Sequence, residues 1–289
     1  MFIRAGSHLR FGIKDPRVPI IFRLEPYPDY ERDIVEGGNL EFSPAVRDER
    51  ICDPFGNATV KVVAAQGQLT VGTDLIVVAS DEPDPVVRDA EQLAAENLPG
   101  DVLPYLLASR YCEVDGSLND FAWRTFGLTK PGWDRVQAVC DFVHNHLTFD
   151  YASARPTRTA GEAWSEGRGV CRDFTHLAMT LCRCLNIPAR YCSGYLGDIR
   201  IEPLPSPMDF SAWMEVYLSG QWYTFDARFN VPRIGRIVMV RGRDAVDSAF
   251  ATMFGRTLLV HLEVWADEVQ APTLCRSEHR RMRSLNPQH

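Results

Sequence analysis

Apolar positions along this 289-residue chain follow a strand-like pattern first, a helix-like one in the middle, and a strand-like one again towards the end. In residues 1–80, Pro19-Ile-Ile-Phe-Arg-Leu24 reads as a strand. Asp53-Pro-Phe-Gly-Asn57 signals a turn before Val60, Val62 and Val63. Leu69, Val71 and Leu75 to Ala79 follow, punctuated by Gly67 and Gly72. Short strands with frequent turns predict a sandwich or barrel, with no catalytic constellation in it. Asp81-Glu-Pro-Asp-Pro85 is a charged, proline-bearing linker and the natural boundary. Beyond it, 87–97 and 103–110 read as short helices, and Val136, Val139, Cys140, Val143 and Leu147 form one helical stripe over 132–147. The domains expected are 1–80 (β-rich), 81–268 (the core) and 269–289 (a polar, basic tail).

The stretch that organises the rest is Gly167-Arg-Gly-Val-Cys171. Two glycines permit a tight turn, and Phe174, Leu177, Ala178, Leu181 and Leu185 then recur at spacings of three and four, one face of a helix ended by Asn186-Ile-Pro188. A cysteine at that helix mouth meets unpaired N–H groups and the positive end of the macrodipole, so a thiolate with a pKa below about 8.5 is expected. The bland alternative is a small apolar residue filling a helix start. Downstream, 191–196 alternates like a strand, 210–218 and 221–226 form a hairpin across Ser219-Gly220, and 236–240 and 257–265 complete the strand set.

Composition narrows the class. A hydrophobic fraction of 45%, a charged fraction of 24% and a net charge of −7 suit a globular protein without nucleic acid or an anionic membrane as partner. No apolar run approaches the roughly 20 residues of a bilayer span, and the N-terminus has no signal-peptide core. Eight cysteines have disulfide parity, but several lie on apolar faces, so free thiols in a reducing cytoplasm are expected. Cys182 and Cys184 would point about 200° apart on a helix, which argues against a metal site with Cys192. No cofactor is implied.

The chain resembles the bacterial, cysteine protease-like branch of the transglutaminase-like superfamily over 164–230. The landmarks are Gly169-Val-Cys171-Arg-Asp-Phe, Ile187-Pro-Ala-Arg190, Ser193-Gly-Tyr195, Asp209-Phe-Ser-Ala-Trp-Met-Glu-Val-Tyr-Leu218 and Trp222-Tyr-Thr-Phe-Asp226. Residues 1–80 are similar, less strongly, to that branch's N-terminal domain. The resemblance implies an α+β fold, a papain-like (transglutaminase-like) core preceded by an N-terminal β-sandwich-like domain, and acyl transfer at a carboxamide of a peptide or protein substrate. Cys171 would be the nucleophile and Asp226 the residue that orients a histidine. The family's pattern is Asp-Phe-His-Ala-Trp/Tyr, and its histidine position holds Ser211 here.

A serine hydroxyl does not hold a proton at neutral pH, and losing general acid–base help typically costs about 10²–10⁴ in rate. His176 lies about 140° round and about 7.5 Å along a helix from Cys171, a poor position for a substitute base. His144 and His146, two apart, cannot both face one site, and His261 has no positional argument. Asp226 is left to accept from Ser211 or a water, and Asp173 to complement the helix dipole. Trp164 and Trp213 either wall a cleft or pack in the core, and the Cys171 N–H is a natural oxyanion donor. Two expectations follow: a Cys171 thioester enzyme favouring hydrolysis over crosslinking, or a weak or inactive module that binds a peptide or protein.

Overall fold

The structure, a computed structural model, describes residues 1–203 and 207–272. Alternating burial from Ile3 through Leu9 and Phe11 to Ile20 and Phe22 makes Phe2–Phe22 one long strand, β1. Three short strands follow: Ile34–Gly37 (β2), Glu41–Ser43 (β3) and Asp48–Cys52 (β4). Ala58–Val78 (β5) runs antiparallel to β1 from Phe22↔Val60 to Phe2↔Val78, with a register shift between Ile13 and Arg17. β2, β3 and β4 each pair with the other edge of β5.

The middle of the chain is helical, though less than its periodicity predicts. Residues 87–97 and 103–110 contain only the 3₁₀ turns Ala95–Asn97 and Leu103–Leu106, broken by Pro99-Gly100 and Pro104. Leu98 and Val102, between the two segments, and Tyr105, in the second, still bury against Tyr217 and Trp222 from chain without an α-helix. Ser117–Phe126 (α1) is a helix the sequence reading did not anticipate; Trp133–His146 (α2) and Cys171–Cys184 (α4) lie where the stripes place them, with Ala160–Glu166 (α3) between. A parallel two-residue pair, Thr148–Phe149 (β6) with Arg168–Gly169 (β7), anchors the run before Cys171.

Ala189–Tyr195 (β8), Ser211–Leu218 (β9), Gln221–Phe225 (β10) and Ile237–Gly242 (β11) form an antiparallel sheet in the order β10-β9-β8-β11. α4 lies on the face made by Ala212, Met214, Val216 and Leu218, and α1 and α2 enclose it from outside. The hairpin turn has positive φ at both Ser219 (47°) and Gly220 (86°), the backbone of a two-residue turn that matches strand twist.

The last two strands correct the expected assembly. Ala251–Met253 (β12) and Thr257–Val269 (β13) both pair with β1, not with the hairpin sheet. β13 completes the inner face of the large sheet through Val264 and Ala266, in one apolar cluster with Ile3, Val77, Tyr195, Phe210 and Met239. Residues 2–78 and the end of the core segment therefore share a core. Of the expected tail, 273–289 lies outside the described residues. No described helix is long and apolar enough to cross a membrane. The mixed α+β class is as the resemblance implies.

Candidate active site

The turn into α4 is built by its two glycines for different reasons. Gly167 takes φ 65° and ends α3 in the left-handed conformation, which glycine tolerates without strain. At Gly169 a Cβ would lie 2.7 Å from the Asp173 carboxylate, so any side chain there would collide with the group that caps α4. Asp173 is buried; it accepts from the Val170 N–H at 2.9 Å, from Arg158 at 2.9 Å and from Arg172 at 3.1 Å. Arg158 also donates to Glu166 and to the Ser153 carbonyl, fixing the loop that precedes α3. Asp173 thus does complement the dipole, and anchors the entry to the helix as well.

Cys171 stands at this mouth, in the wall of a cavity of about 480 Å³ between α4 and the large sheet. Leu9 and Phe11 of β1, Tyr191 of β8 and Phe250 supply apolar lining; Arg155, Arg172 and Asp209 supply charge. The thiol lies 3.9 Å from the Phe210 carbonyl. Burial pushes its pKa up to about 11; Asp209 adds to the rise, while the Arg228 guanidinium and the N–H groups of Ala212 and Arg172 oppose it. The shift runs opposite to the thiolate expected: burial favours the protonated thiol. Desolvation outweighs the helix terminus, and the Asp173 carboxylate already occupies that positive end.

Ser211 begins β9, between Phe210, whose carbonyl faces the thiol, and Ala212, whose N–H faces the sulfur. Its carbonyl accepts from Ser193 at 2.7 Å. Ser211 also lines a second cavity of about 380 Å³, together with Tyr151, Asp209, Arg228 and Phe229. Asp226 follows β10 and is buried, but its carboxylate is committed elsewhere than expected. Oδ2 accepts from Arg236 at 3.0 Å, and Oδ1 from the N–H groups of Arg228 and Phe229 at 3.0 and 3.1 Å. Arg236 also bonds Asp84 at 2.8 Å and lies 4.9 Å over the Trp213 ring. An arginine, rather than Ser211, faces the carboxylate that would orient an imidazole.

His176, His144 and His146 are held in structural roles. His176 is fully buried, stacked on Tyr111 (5.0 Å) and tilted against Tyr191 (5.2 Å), and its Nε2 accepts from the Ala245 N–H at 3.2 Å. Burial drives its pKa far down, against the pull of Asp244; with Nε2 taken by Ala245 and no place in the lining of the Cys171 cavity, the ring is a structural group. His144 contacts the Arg228 carbonyl and His146 the Trp164 carbonyl, on diverging directions. Trp164 packs on Phe121 at 5.3 Å, and Trp213 is buried with Cys192 and Val238; neither lines the Cys171 cavity. All seven described cysteines are free.

Sequence reasoning missed Asp209 and Arg228, the opposite charges that flank the thiol. Asp209 lines both cavities; burial raises its pKa, opposed by the Phe210 N–H at 2.7 Å and by Arg228. Arg228 lies over Phe149 at 3.9 Å. Both residues sit in or beside the quoted landmarks, two positions from Ser211 and Asp226 respectively, and that adjacency was the available signal.

Residues 120–227 match the family model described as the Transglutaminase-like superfamily. An uncharacterized protein of Mycobacterium leprae is 34% identical over 237 residues, covering 78% of this chain and 82% of its own. One from Mycobacterium tuberculosis is 25% identical over 230 residues, 72% of each chain. The crystal structure of a candidate cysteine protease from Cytophaga hutchinsonii superposes with a TM-score of 0.80 at 27% identity, over 94% of this chain and 92% of that one.

Proposed function

Since the chain belongs to the transglutaminase-like superfamily, we propose that it is a cysteine acyl-transfer protein acting slowly on carboxamides of peptides or proteins. Cys171 attacks the carbonyl carbon, a thioester forms as the amine leaves, and water resolves it in preference to a second amine. The observation that supports this most is the position of Cys171, at a helix mouth in a cavity wall with the Arg172 and Ala212 N–H groups beside the sulfur. The same groups are available to an oxyanion, where each such donor is worth about 10²–10³ in rate. The likeness to a candidate cysteine protease supports the same chemistry.

Slowness follows from two terms. A thiol moved from 9.0 to about 11 has its thiolate fraction near neutral pH cut about 100-fold. Without an imidazole at position 211, the departing amine lacks a proton donor, a further 10²–10⁴, approximately. The Asp226–Arg236 pair favours a second reading, in which the cleft only recognises a peptide or protein segment. Amine release from a peptide pool, compared between the natural protein, Cys171→Ala and Ser211→His, decides. Slow release abolished by Cys171→Ala supports the enzyme; release that appears only with Ser211→His supports the binder. Release that survives Cys171→Ala overturns the proposal.

A further inference from the structure

Away from the cleft, the outer face of the large sheet gathers two imidazoles and a carboxylate. His8 on β1 lies directly across from Glu263 on β13, and His261 stands two residues before Glu263, on the same face of the pleat. One ligand atom from each of the three lies within 4.8 Å of the other two. His261 Nε2 is 3.7 Å from the Glu263 carboxylate, and the His8 and His261 rings meet edge-on with centroids 5.7 Å apart. The β1–β13 register shifts immediately beyond the Arg10↔His261 pair, and such a bulge re-aims the side chains beside it.

We propose that His8, His261 and Glu263 bind a divalent first-row transition ion, Zn²⁺ among those in ordinary supply, and so fasten β13 to β1. Two imidazole nitrogens and one carboxylate oxygen form a mixed N/O set suited to Zn²⁺, Ni²⁺ or Cu²⁺; a single carboxylate suits Ca²⁺ or Mg²⁺ poorly. Three protein ligands leave a fourth position for water. Bonds of about 2.0–2.2 Å to a tetrahedral ion hold ligand atoms roughly 3.3–3.5 Å apart. The three groups must therefore close by about an ångström, which the exposed side chains of His261 and Glu263 are free to do. The charged neighbours on this face include Arg10, Arg4, Asp74 and Asp267, with Glu36 and Glu41 across β5. Arg10 opposes a cation, and the Glu263 carboxylate offsets it. A shallow concavity lined by Arg4, His8, Glu263, Trp265 and Asp267 gives the ion an approach from solvent.

The test is a Zn²⁺ titration of the full chain in competition with a chromophoric chelator, with thermal unfolding read on the same samples. The expected result is one ion per chain with a Kd below about 10 μM, and a Tm that rises with Zn²⁺. His8→Gln and His261→Gln should each weaken binding about 10-fold or more and abolish the Tm rise, since loss of a ligand costs at least what loss of its supporting partner does. Cys171→Ser and His144→Gln should bind as the natural protein does. Affinity unchanged in both His8→Gln and His261→Gln, binding lost with Cys171→Ser, or no binding at 100 μM Zn²⁺ would each overturn the proposal.

Discussion

Alkylation of Cys171 as a function of pH probes the site at its most exposed assumption. The thiol's pKa is raised from 9.0 to about 11, which is roughly 3 kcal/mol against ionisation. At pH 7.5 roughly 3 in 10⁴ molecules then carry the thiolate, against roughly 3 in 100 for a thiol at 9.0. The iodoacetamide rate at Cys171, followed by peptide mass spectrometry, should climb about tenfold per pH unit from 7 to 10 and bend only near 11. Exposed Cys52 in the same digest reports on reagent and quenching, and buried Cys140 and Cys182 report on unfolding. The charges flanking the sulfur allow a check within the same assay. Asp209→Asn removes a charge that raises the pKa and should shift the bend to lower pH; Arg228→Gln removes one that lowers it and should shift the bend upward. A profile that bends at or below pH 8.5, or one indifferent to both substitutions, would refute the claim that burial dominates the helix terminus.

Other outcomes follow from the buried charges. Arg236→Met should destabilise the protein by about 3–5 kcal/mol in urea unfolding, because it strands the Asp226 carboxylate within the core. His176 is kept neutral in the fold while the unfolded chain takes up its proton near pH 6.5, so unfolding gains a proton as pH falls below that value. Stability is therefore complete above about 6.5 and declines towards acid; His176→Phe should flatten the decline between pH 6.5 and 5 and cost about 1 kcal/mol at pH 8 for the lost Ala245 hydrogen bond. A decline of equal slope in the variant would contradict this.

How much the sequence disclosed depended on the range of the interactions involved. α4 was legible because Phe174, Leu177, Ala178 and Leu181 bury one face against the sheet, and spacing along a helix is local. The β9–β10 hairpin was legible from its alternation and from Ser219-Gly220. The pairing of β13 with β1 was not, since a register joining residues 2–13 to 257–269 leaves no local mark. Residues 87–97 and 103–110 read as short helices, but they contain only 3₁₀ turns, in a stretch carrying Pro99, Gly100 and Pro104. Cys171, Ser211 and Asp226 were named from their places in the family pattern, whereas the thiol's ionisation and the partner of Asp226 had no mark in the sequence. The first depends on what Leu9, Phe11 and Phe250 cover, and the second on an arginine ten residues further along the chain.

The central claim is that Cys171 is a nucleophile with no acid to release an amine. It is tested most directly by comparing a peptidyl p-nitrophenyl ester, whose leaving group needs no proton, with the matching anilide or amide, in the natural protein, Cys171→Ala and Ser211→His. The account predicts Cys171-dependent acylation by the ester, slow but measurable amide turnover that Cys171→Ala abolishes, and a gain of about 10²–10⁴ on the amide alone in Ser211→His. Ester acylation that persists in Cys171→Ala, or a natural protein that turns over the amide as readily as the ester, would contradict it.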